Sequence, residues 1–305
     1  MRNQLCSALL DRSKNPEMVF LTGDLGFMAL EPLESAMKDR FINAGISEQN
    51  MCSVAAAMAR QGLEPWVYSI APFCYARPFE QIRNDICFHG LRVRIIGNGG
   101  GYGYGVMGPT HHAIEDYGVL LTLPSMQVFA PVFDEDVAQV VALAGGAHGA
   151  AYIRLGRGEA PLGFTVPSYA PWRQLTSGGG AVVIAVGPLA GIYIDCLRQL
   201  PEEVRPCLWA VSELPLLKNP IPELLLSQIA TRKHLCVAEE HVARGGFASE
   251  LLLHLAINQL VPEKVSHLHA LAHHYKRYGS QTYLRRESRL DAISLLQTLG
   301  LEEAI

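Results

Sequence analysis

The sequence predicts an α/β protein built of two three-layer α/β domains with mainly parallel sheets. Short, continuous apolar runs alternate with helical patterns along most of the chain, the signature of strands buried on both faces and joined by helical crossovers. The alternation occurs twice, on either side of one proline- and glycine-rich break, and 305 residues is about twice the commonest domain size. We therefore expect a first domain over 1–160, a linker over 161–178 and a second, smaller domain over 179–305.

In the first domain the runs Val19-Phe20-Leu21, Phe41-Ile42, Trp66-Val67-Tyr68, Val93-Arg94-Ile95-Ile96, Met126-Gln127-Val128-Phe129 and Tyr152-Ile153 read as strands. Helices are expected between them at about 48–61, 77–89, 110–122 and 134–145. The break carries Pro161, Pro167 and Pro171 and ends on Gly178-Gly179-Gly180. Beyond it, 182–186, 207–211 and 234–238 repeat the strand theme, with helices near 191–200, 221–231 and 246–260. No short fixed-period repeat interrupts this plan.

Composition narrows the function classes. Twenty-five basic against 29 acidic residues give a net charge of −4 with no block of five like charges, which argues against a basic nucleic-acid surface. Charged residues make up 18% of the chain, below the roughly 25% usual for soluble domains, so we expect surface hidden in a subunit interface. Seven cysteines, an odd number without a CxxC pair, fit reduced thiols in the cytoplasm better than disulfides or zinc. The apolar stretch before Asp11 is too short for a secretory signal. A charge-free stretch from Gln174 to Ile194 is broken by glycines and Pro188 into turn, strand and helix start, so no membrane span is expected.

Glu48 is an acid in the first turn of a helix whose continuation, Cys52 to Ala59, is small and apolar, so that helix is expected to be fully buried. On pattern alone such an acid is a capping-type carboxylate favoured by the helix dipole, with Ser47 as the candidate N-cap. A glycine-rich run, Gly97 to Gly108, follows a strand, and Gly103-x-Gly105-x-x-Gly108 matches a dinucleotide-binding expression. So dense a run matches easily, and no strand-end acid follows at the required distance. There is no GxxxxGK[ST], no HExxH and no GxSxG. His267, His269, His273 and His274 cluster without carboxylates or cysteines at ligand spacing, which favours surface or packing roles over a metal.

Three segments in order resemble the transketolase family: Asn43-Ala44-Gly45-Ile46-Ser47-Glu48-Gln49-Asn50-Met51, then Phe73-x-x-x-Arg77-Pro78-Phe79-Glu80-Gln81-Ile82-Arg83-Asn84, then Gly108-Pro109-Thr110-His111-His112-Ala113-Ile114-Glu115-Asp116. The resemblance covers residues 1 to 160 well and the region after 178 in general outline. It implies a thiamine diphosphate pyrimidine-binding domain followed by a transketolase C-terminal-like domain. The family's diphosphate motif, GDG followed later by Asn, is missing: Thr22-Gly23-Asp24-Leu25-Gly26 does not supply it. The resemblance therefore implies the C-terminal subunit of a split transketolase, with an N-terminal partner subunit that completes the cofactor site and holds most of the magnesium, and a heterotetramer as the family-like assembly.

By the same resemblance, Glu48 bonds a ring nitrogen of the aminopyrimidine and promotes proton removal from the thiazolium carbon. That role needs a carboxyl group that carries or shares a proton, which burial favours and the helix dipole opposes; with the site sealed by cofactor and partner, desolvation is expected to win. Phe73 matches an aromatic that stacks on the aminopyrimidine, Ile70 stands where many relatives carry a second aromatic, and Asp24 matches an acid near the thiazolium. His111 matches a histidine that contacts donor hydroxyls and assists proton transfer, and Arg157 matches a phosphate-binding arginine, a role suited to a guanidinium. Two positions depart: Met107 replaces an aspartate that reads a sugar hydroxyl, and Gly99, with the loop aligned without gaps, replaces a histidine upstream in the same loop; exchanging the acid for a thioether favours a deoxygenated, bulky or unusual acceptor of a two-carbon ketol unit. Alternatives are the β-subunit of a 2-oxo acid dehydrogenase first component, against which Gly108-Pro109-Thr110-His111-His112 and Arg157 argue, and a non-catalytic regulatory subunit, against which Glu48 and Phe73 argue.

Overall fold

The computed structural model describes residues 1–302, and two sheets organise it. The strands are β1 (Met18–Thr22), β2 (Phe41–Asn43), β3 (Glu64–Ile70), β4 (Arg94–Asn98), β5 (Gln127–Phe129), β6 (Ala151–Leu155), β7 (Trp172–Thr176), β8 (Val182–Val186), β9 (Cys207–Val211), β10 (Glu213–Leu214), β11 (His234–Glu239) and β12 (Lys264–His269). The first sheet has the order β10-β5-β6-β4-β3-β1-β2 and the second β12-β11-β8-β9-β7. Every pairing is parallel except two at sheet edges, β10 on β5 and β7 on β9. β1, β6, β8 and β9 are buried along their whole length, as continuous apolar runs in a covered parallel sheet must be.

The helices are α1 (Arg2–Arg12), α2 (Glu31–Met37), α3 (Glu48–Arg60), α4 (Ala71–Tyr75), α5 (Phe79–Gln81), α6 (Asp116–Leu120), α7 (Val137–Gly146), α8 (Ile194–Arg198), α9 (Glu223–Thr231), α10 (Phe247–Ile257), α11 (Gln281–Glu287) and α12 (Ala292–Leu299). One face of the first sheet packs Phe20, Trp66 and Ile96 against Leu5 and Leu9 of α1 and Val140 of α7. The other packs Val67 and Ile95 against α3, α4 and α6, and this core runs on without a break into Trp172 of β7 and Phe247 and Leu251 of α10. The two units are thus fused through shared apolar packing, and buried polar contacts add to the seam. Tyr117 donates to Glu239 Oε2 at 2.5 Å, and the Val242 N–H donates to the Ile114 carbonyl at 2.8 Å.

Several expectations change. The expected linker holds an edge strand, β7, and β10 returns from the second unit to extend the first sheet, so the chain crosses the seam more than once. The helix expected over 77–89 is a short α turn, α5, running into a π-helical stretch, Ile82–Cys87. That expected over 110–122 reduces to α6, because Gly108 (φ +86°) and Pro109 lead through a 3-10 turn before any α-helix starts. α3 buries one face only, through Glu48, Met51, Cys52, Ala55 and Ala56, and is not buried all round as expected. Among the described residues no helix is long and apolar enough to cross a membrane.

Candidate active site

The parallel strands β1 to β6 end along one edge of the first sheet, and β1 lies between β2 and β3 where the winding direction reverses. Such a reversal opens a crevice beyond the strand ends. The loops that line it carry the residues singled out from sequence: Asp24 after β1, Glu48 after β2, Ile70 and Phe73 at the end of β3 and in α4, Gly99 after β4 and Arg157 after β6.

Asp24 is exposed and holds a left-handed backbone (φ +56°), which its neighbours stabilise. Its N–H donates to Asn43 Oδ1 at 3.1 Å, and Asn43 Nδ2 donates back to Asp24 Oδ1 at 2.9 Å. Asn43 Oδ1 also accepts the Gly45 N–H at 2.9 Å, which fixes the turn leading into α3. Ser47 stands at the N-cap of α3 but does not cap it with its side chain: Ser47 Oγ donates to the Ala44 carbonyl at 2.6 Å. Glu48 follows, only 4% exposed, and its Oε1 accepts a charge-assisted bond from Arg77 Nη1 at 2.8 Å. Ser69 Oγ, buried near the end of β3, has no hydrogen-bond partner among the described residues. A Cβ on Gly23 would touch the Gly45 carbonyl, Ser69 Oγ and Glu48 Cγ at 3.5, 3.7 and 3.8 Å, so these groups close around a glycine.

Phe73 is half-buried, and the Arg77 guanidinium carbon lies 3.9 Å from its ring centroid. His111 meets the same ring edge-on, centroids 5.1 Å apart, and its Nδ1 lies 3.0 Å from Thr110 Oγ1. Burial, and then the positive charge of Arg77, hold the His111 imidazole below its ordinary pKa. Glu48, Phe73 and His111 are therefore brought together, and Arg77 is the group that touches or polarises all three. Ile70 is half-buried and stands at the N-cap of α4, forming an aliphatic end to β3.

Beside this cluster opens a cavity of about 590 Å³ whose wall includes Arg2, Asn98, Gly99, Tyr104, Met107 and Arg157. It unites three of the four predicted substrate positions, Gly99, Met107 and Arg157, leaving His111 outside its wall, and adds Arg2, which sequence reasoning missed because no local motif marks it. Tyr104 sits between cavity and cluster: its hydroxyl accepts from Asn98 Nδ2 at 2.6 Å, and its ring centroid is 6.4 Å from that of His111. Burial raises the Tyr104 phenol, while the positive charges of Arg2 and Arg157 pull against that rise. Arg157 is exposed and makes no ion pair among the described residues. Met107 is 55% exposed, so its thioether faces open space.

The glycine run has a packing role. A Cβ at Gly99 (φ +77°) would come within 2.2 Å of the Tyr104 ring, and one at Gly103 within 2.7 Å of the Gly99 backbone. No long helix N-terminus follows that could hold a dinucleotide diphosphate, since α6 starts only at Asp116. Among the described residues no three His, Cys, Asp or Glu groups converge as a metal set. Of the clustered histidines, His267 Nε2 bonds Glu239 Oε1 at 2.8 Å and His273 Nε2 bonds Glu115 Oε1 at 2.5 Å, both at the seam between the two units.

Comparisons with known proteins agree with this geometry. Residues 7–162, more than half of the chain, match the family "transketolase, pyrimidine binding domain". The chain is 27% identical over 270 residues to one subunit of the apulose-4-phosphate transketolase of Actinobacillus succinogenes, covering 88% of this chain and 86% of that one. It is 32% identical over 262 residues to the 1-deoxy-D-xylulose-5-phosphate synthase 2 of Geobacter sulfurreducens, but spans only 41% of its length. Among solved structures, one titled a split gene transketolase, inactive beta4 tetramer, superposes with a TM-score of 0.83 at 28% identity, over 99% of this chain and 98% of that one. The transketolase of Leishmania mexicana shares the fold (TM-score 0.76, 16% identity), with 45% of its chain covered. In extent the chain matches the split-gene protein and the apulose-4-phosphate transketolase subunit rather than the longer enzymes. It belongs to the transketolase family.

Proposed function

We propose that this chain is the C-terminal subunit of a heteromeric, thiamine diphosphate dependent transketolase-like transferase, which moves a two-carbon ketol unit from a ketose to an aldehyde acceptor. The observation that carries the proposal is the convergence of a buried carboxylate, an aromatic face and a neutral imidazole (Glu48, Phe73, His111) at the parallel-sheet edge, next to a cavity with two guanidinium groups. The likeness to one subunit of the apulose-4-phosphate transketolase and to the split-gene structure supports a separate partner. In this reading, residues 1–160 form the pyrimidine-binding unit and 179–305 the C-terminal-like unit.

The residues present fit the pyrimidine half of the cofactor: a half-buried ring to stack on, a buried carboxylate with Oε2 unengaged among the described residues, and an unpartnered Ser69 hydroxyl beside it. The diphosphate and magnesium would be held by the N-terminal partner, in an assembly with two copies of each chain. When bound, thiamine diphosphate would supply the nucleophilic carbon and the electron sink for breaking and making the carbon–carbon bond. Glu48 would meet the pyrimidine nitrogen at Oε2 and share its proton there, with burial favouring that proton and the Arg77 charge on Oε1 opposing it. His111, its Nδ1 side taken by Thr110, would exchange protons with substrate hydroxyls through Nε2. Arg157, with Arg2 across the cavity, would bind a substrate phosphate. Met107 offers no hydrogen bond to a sugar hydroxyl, so the acceptor preferred is a deoxygenated, bulky or unusual aldehyde of a specialised carbohydrate pathway in the cytoplasm.

The test is capture of the tagged chain from its native lysate, followed by intact mass and by oxidation of thiamine diphosphate to its fluorescent product. A stoichiometric partner that brings the cofactor is the expected result. A chain that stays alone and cofactor-free, even with added magnesium and thiamine diphosphate, would sink the proposal.

A further inference from the structure

We propose that Arg77 is a positioning residue whose single guanidinium joins Glu48, Phe73 and His111 into one unit, anchoring Oε1 of the carboxylate and setting a positive charge against the aromatic ring on which the imidazole packs. It is part of the motif that starts at Phe73, yet none of the roles derived above uses it. Arg77 lies four residues after Phe73, just beyond the end of α4, the spacing that puts two side chains on one side of a helical turn. Its guanidinium serves two partners at once: its central carbon lies 3.9 Å from the Phe73 ring centroid, and Nη1 donates to Glu48 Oε1 at 2.8 Å. His111 packs edge-on against that same ring at 5.1 Å, so the cation and the imidazole share one aromatic neighbour.

Three consequences follow from this arrangement. Glu48 is left with Oε2 for a ligand, so the direction in which the carboxylate presents itself is set by Arg77. Phe73 is held in its ring orientation from one side by the guanidinium and from another by His111. A proton on His111 meets burial first and then the positive charge of Arg77, which its ion-pair partner Glu48 offsets only in part; the Thr110 hydroxyl and the buried Tyr104 phenol, also facing the imidazole, are uncharged. The Arg77 side chain is itself 46% exposed, so solvent reaches the guanidinium while the carboxylate it anchors is buried. This inference takes its catalytic meaning from the transferase reading, but the coupling is a property of the chain alone.

Arg77→Gln and Arg77→Lys separate the two tasks, since lysine keeps the charge and loses the plane. In the full chain, the His111 imidazole is titrated by NMR, assigned through the signal lost in His111→Asn, with remote His234 on β11 as internal reference. The expected result is an upward shift of the His111 midpoint in Arg77→Gln, little change in Arg77→Lys, and an unmoved His234 in both. An unchanged midpoint in Arg77→Gln, or an equal rise in both variants, overturns the proposal. With the partner added, Arg77→Gln is expected to weaken thiamine diphosphate binding about tenfold, the loss of one charge-assisted anchor; unchanged affinity overturns it as well. A wild-type complex that takes up no cofactor would overturn the transferase reading and leave the titration result standing.

Discussion

Three buried carboxylates show how differently this fold treats the same group. Glu239 and Glu240, at the seam between the two units, are saturated. Glu239 accepts from Tyr117 Oη (2.5 Å), the Phe247 and Ala248 N–H groups at the start of α10 (2.7 and 3.0 Å) and His267 Nε2 (2.8 Å). Glu240 accepts from the Tyr102 N–H, Gln281 and Arg285. Burial alone would raise both carboxyls, yet the His267 bond at one and the Arg285 charge at the other carry them below the ordinary range. Glu48 is nearly as buried, at 4% exposure, but has one protein partner, and that partner is half in solvent. Buried polar groups are costly when unsatisfied, so a saturated carboxylate reads as architecture and an under-coordinated one as a place for a ligand.

The sharpest way to break this comparison is to make the same isosteric change at both kinds of site. In the complex reconstituted with its partner, Glu48→Gln is expected to lower kcat by about a thousandfold, a loss on the scale of a missing electrostatic or proton-transfer group. Its urea midpoint should stay close to wild type. Glu239→Gln should do the reverse, costing about 3 kcal/mol of unfolding free energy by breaking a buried charged network, with the folded fraction retaining turnover. Swapped outcomes would show that Glu48 is structural.

The seam also titrates. His112 is 2% exposed, has no hydrogen-bond partner on either ring nitrogen among the described residues, and packs against the rings of Tyr102 and His273 at 5.1 and 5.9 Å. Burial first, then the charges of His273 and His274, push it down to about 4, against 6.5 for an unperturbed histidine. The unfolded chain therefore takes up this proton as pH falls through 6.5 while the folded chain resists until about 4, and stability is lost across that window. Between pH 8 and 5 the loss from this group is about 2 kcal/mol. Glu115, held low by His273 against the effect of burial, adds in the same direction at lower pH. Urea unfolding at the two pH values checks this: His112→Gln should shrink the drop, and a drop of wild-type size in that variant would exclude His112 as its source.

The smallest effects belong to the open cavity. Arg157→Ala is expected to raise KM for a phosphorylated acceptor about tenfold with kcat nearly intact, since an exposed guanidinium contributes binding rather than chemistry. Met107→Asp should improve kcat/KM for an ordinary hydroxylated aldose phosphate by about threefold relative to wild type. Steady-state kinetics on both variants with paired acceptors would expose the cavity as irrelevant if neither ratio moved.

Much of this was legible because it is written in local patterns. Runs such as Val182 to Val186 and Cys207 to Val211 are apolar along their whole length, and a doubly covered strand satisfies that. The residue types near strand ends, Glu48, Phe73 and His111, carry chemistry in short motifs. Less legible were β7, hidden in a proline-rich stretch and placed by antiparallel pairing with β9, and β12, an edge strand whose Lys264, Ser266 and His267 give no apolar run. α1 has no side-chain cap to mark its start, whereas α11 and α12 open on the N-caps Ser280 and Asp291 and α12 closes on left-handed Gly300, local signals that the reading of the sequence passed over. Arg2 has ordinary local surroundings and Arg77 stands in a motif that gave it no role, and the significance of both comes from what folds next to them.

The sequence by itself determined the layered α/β architecture and which residue types stand at the strand ends, because periodicity and motif spacing act over a few residues. Only the tertiary structure decided that Glu48 is left one partner while Glu239 has four, that Arg2 and Arg157 line one cavity, and that a guanidinium bridges a carboxylate and an aromatic ring. Those outcomes depend on which groups exclude water from one another across the fold, and that accounting closes only once the chain has packed.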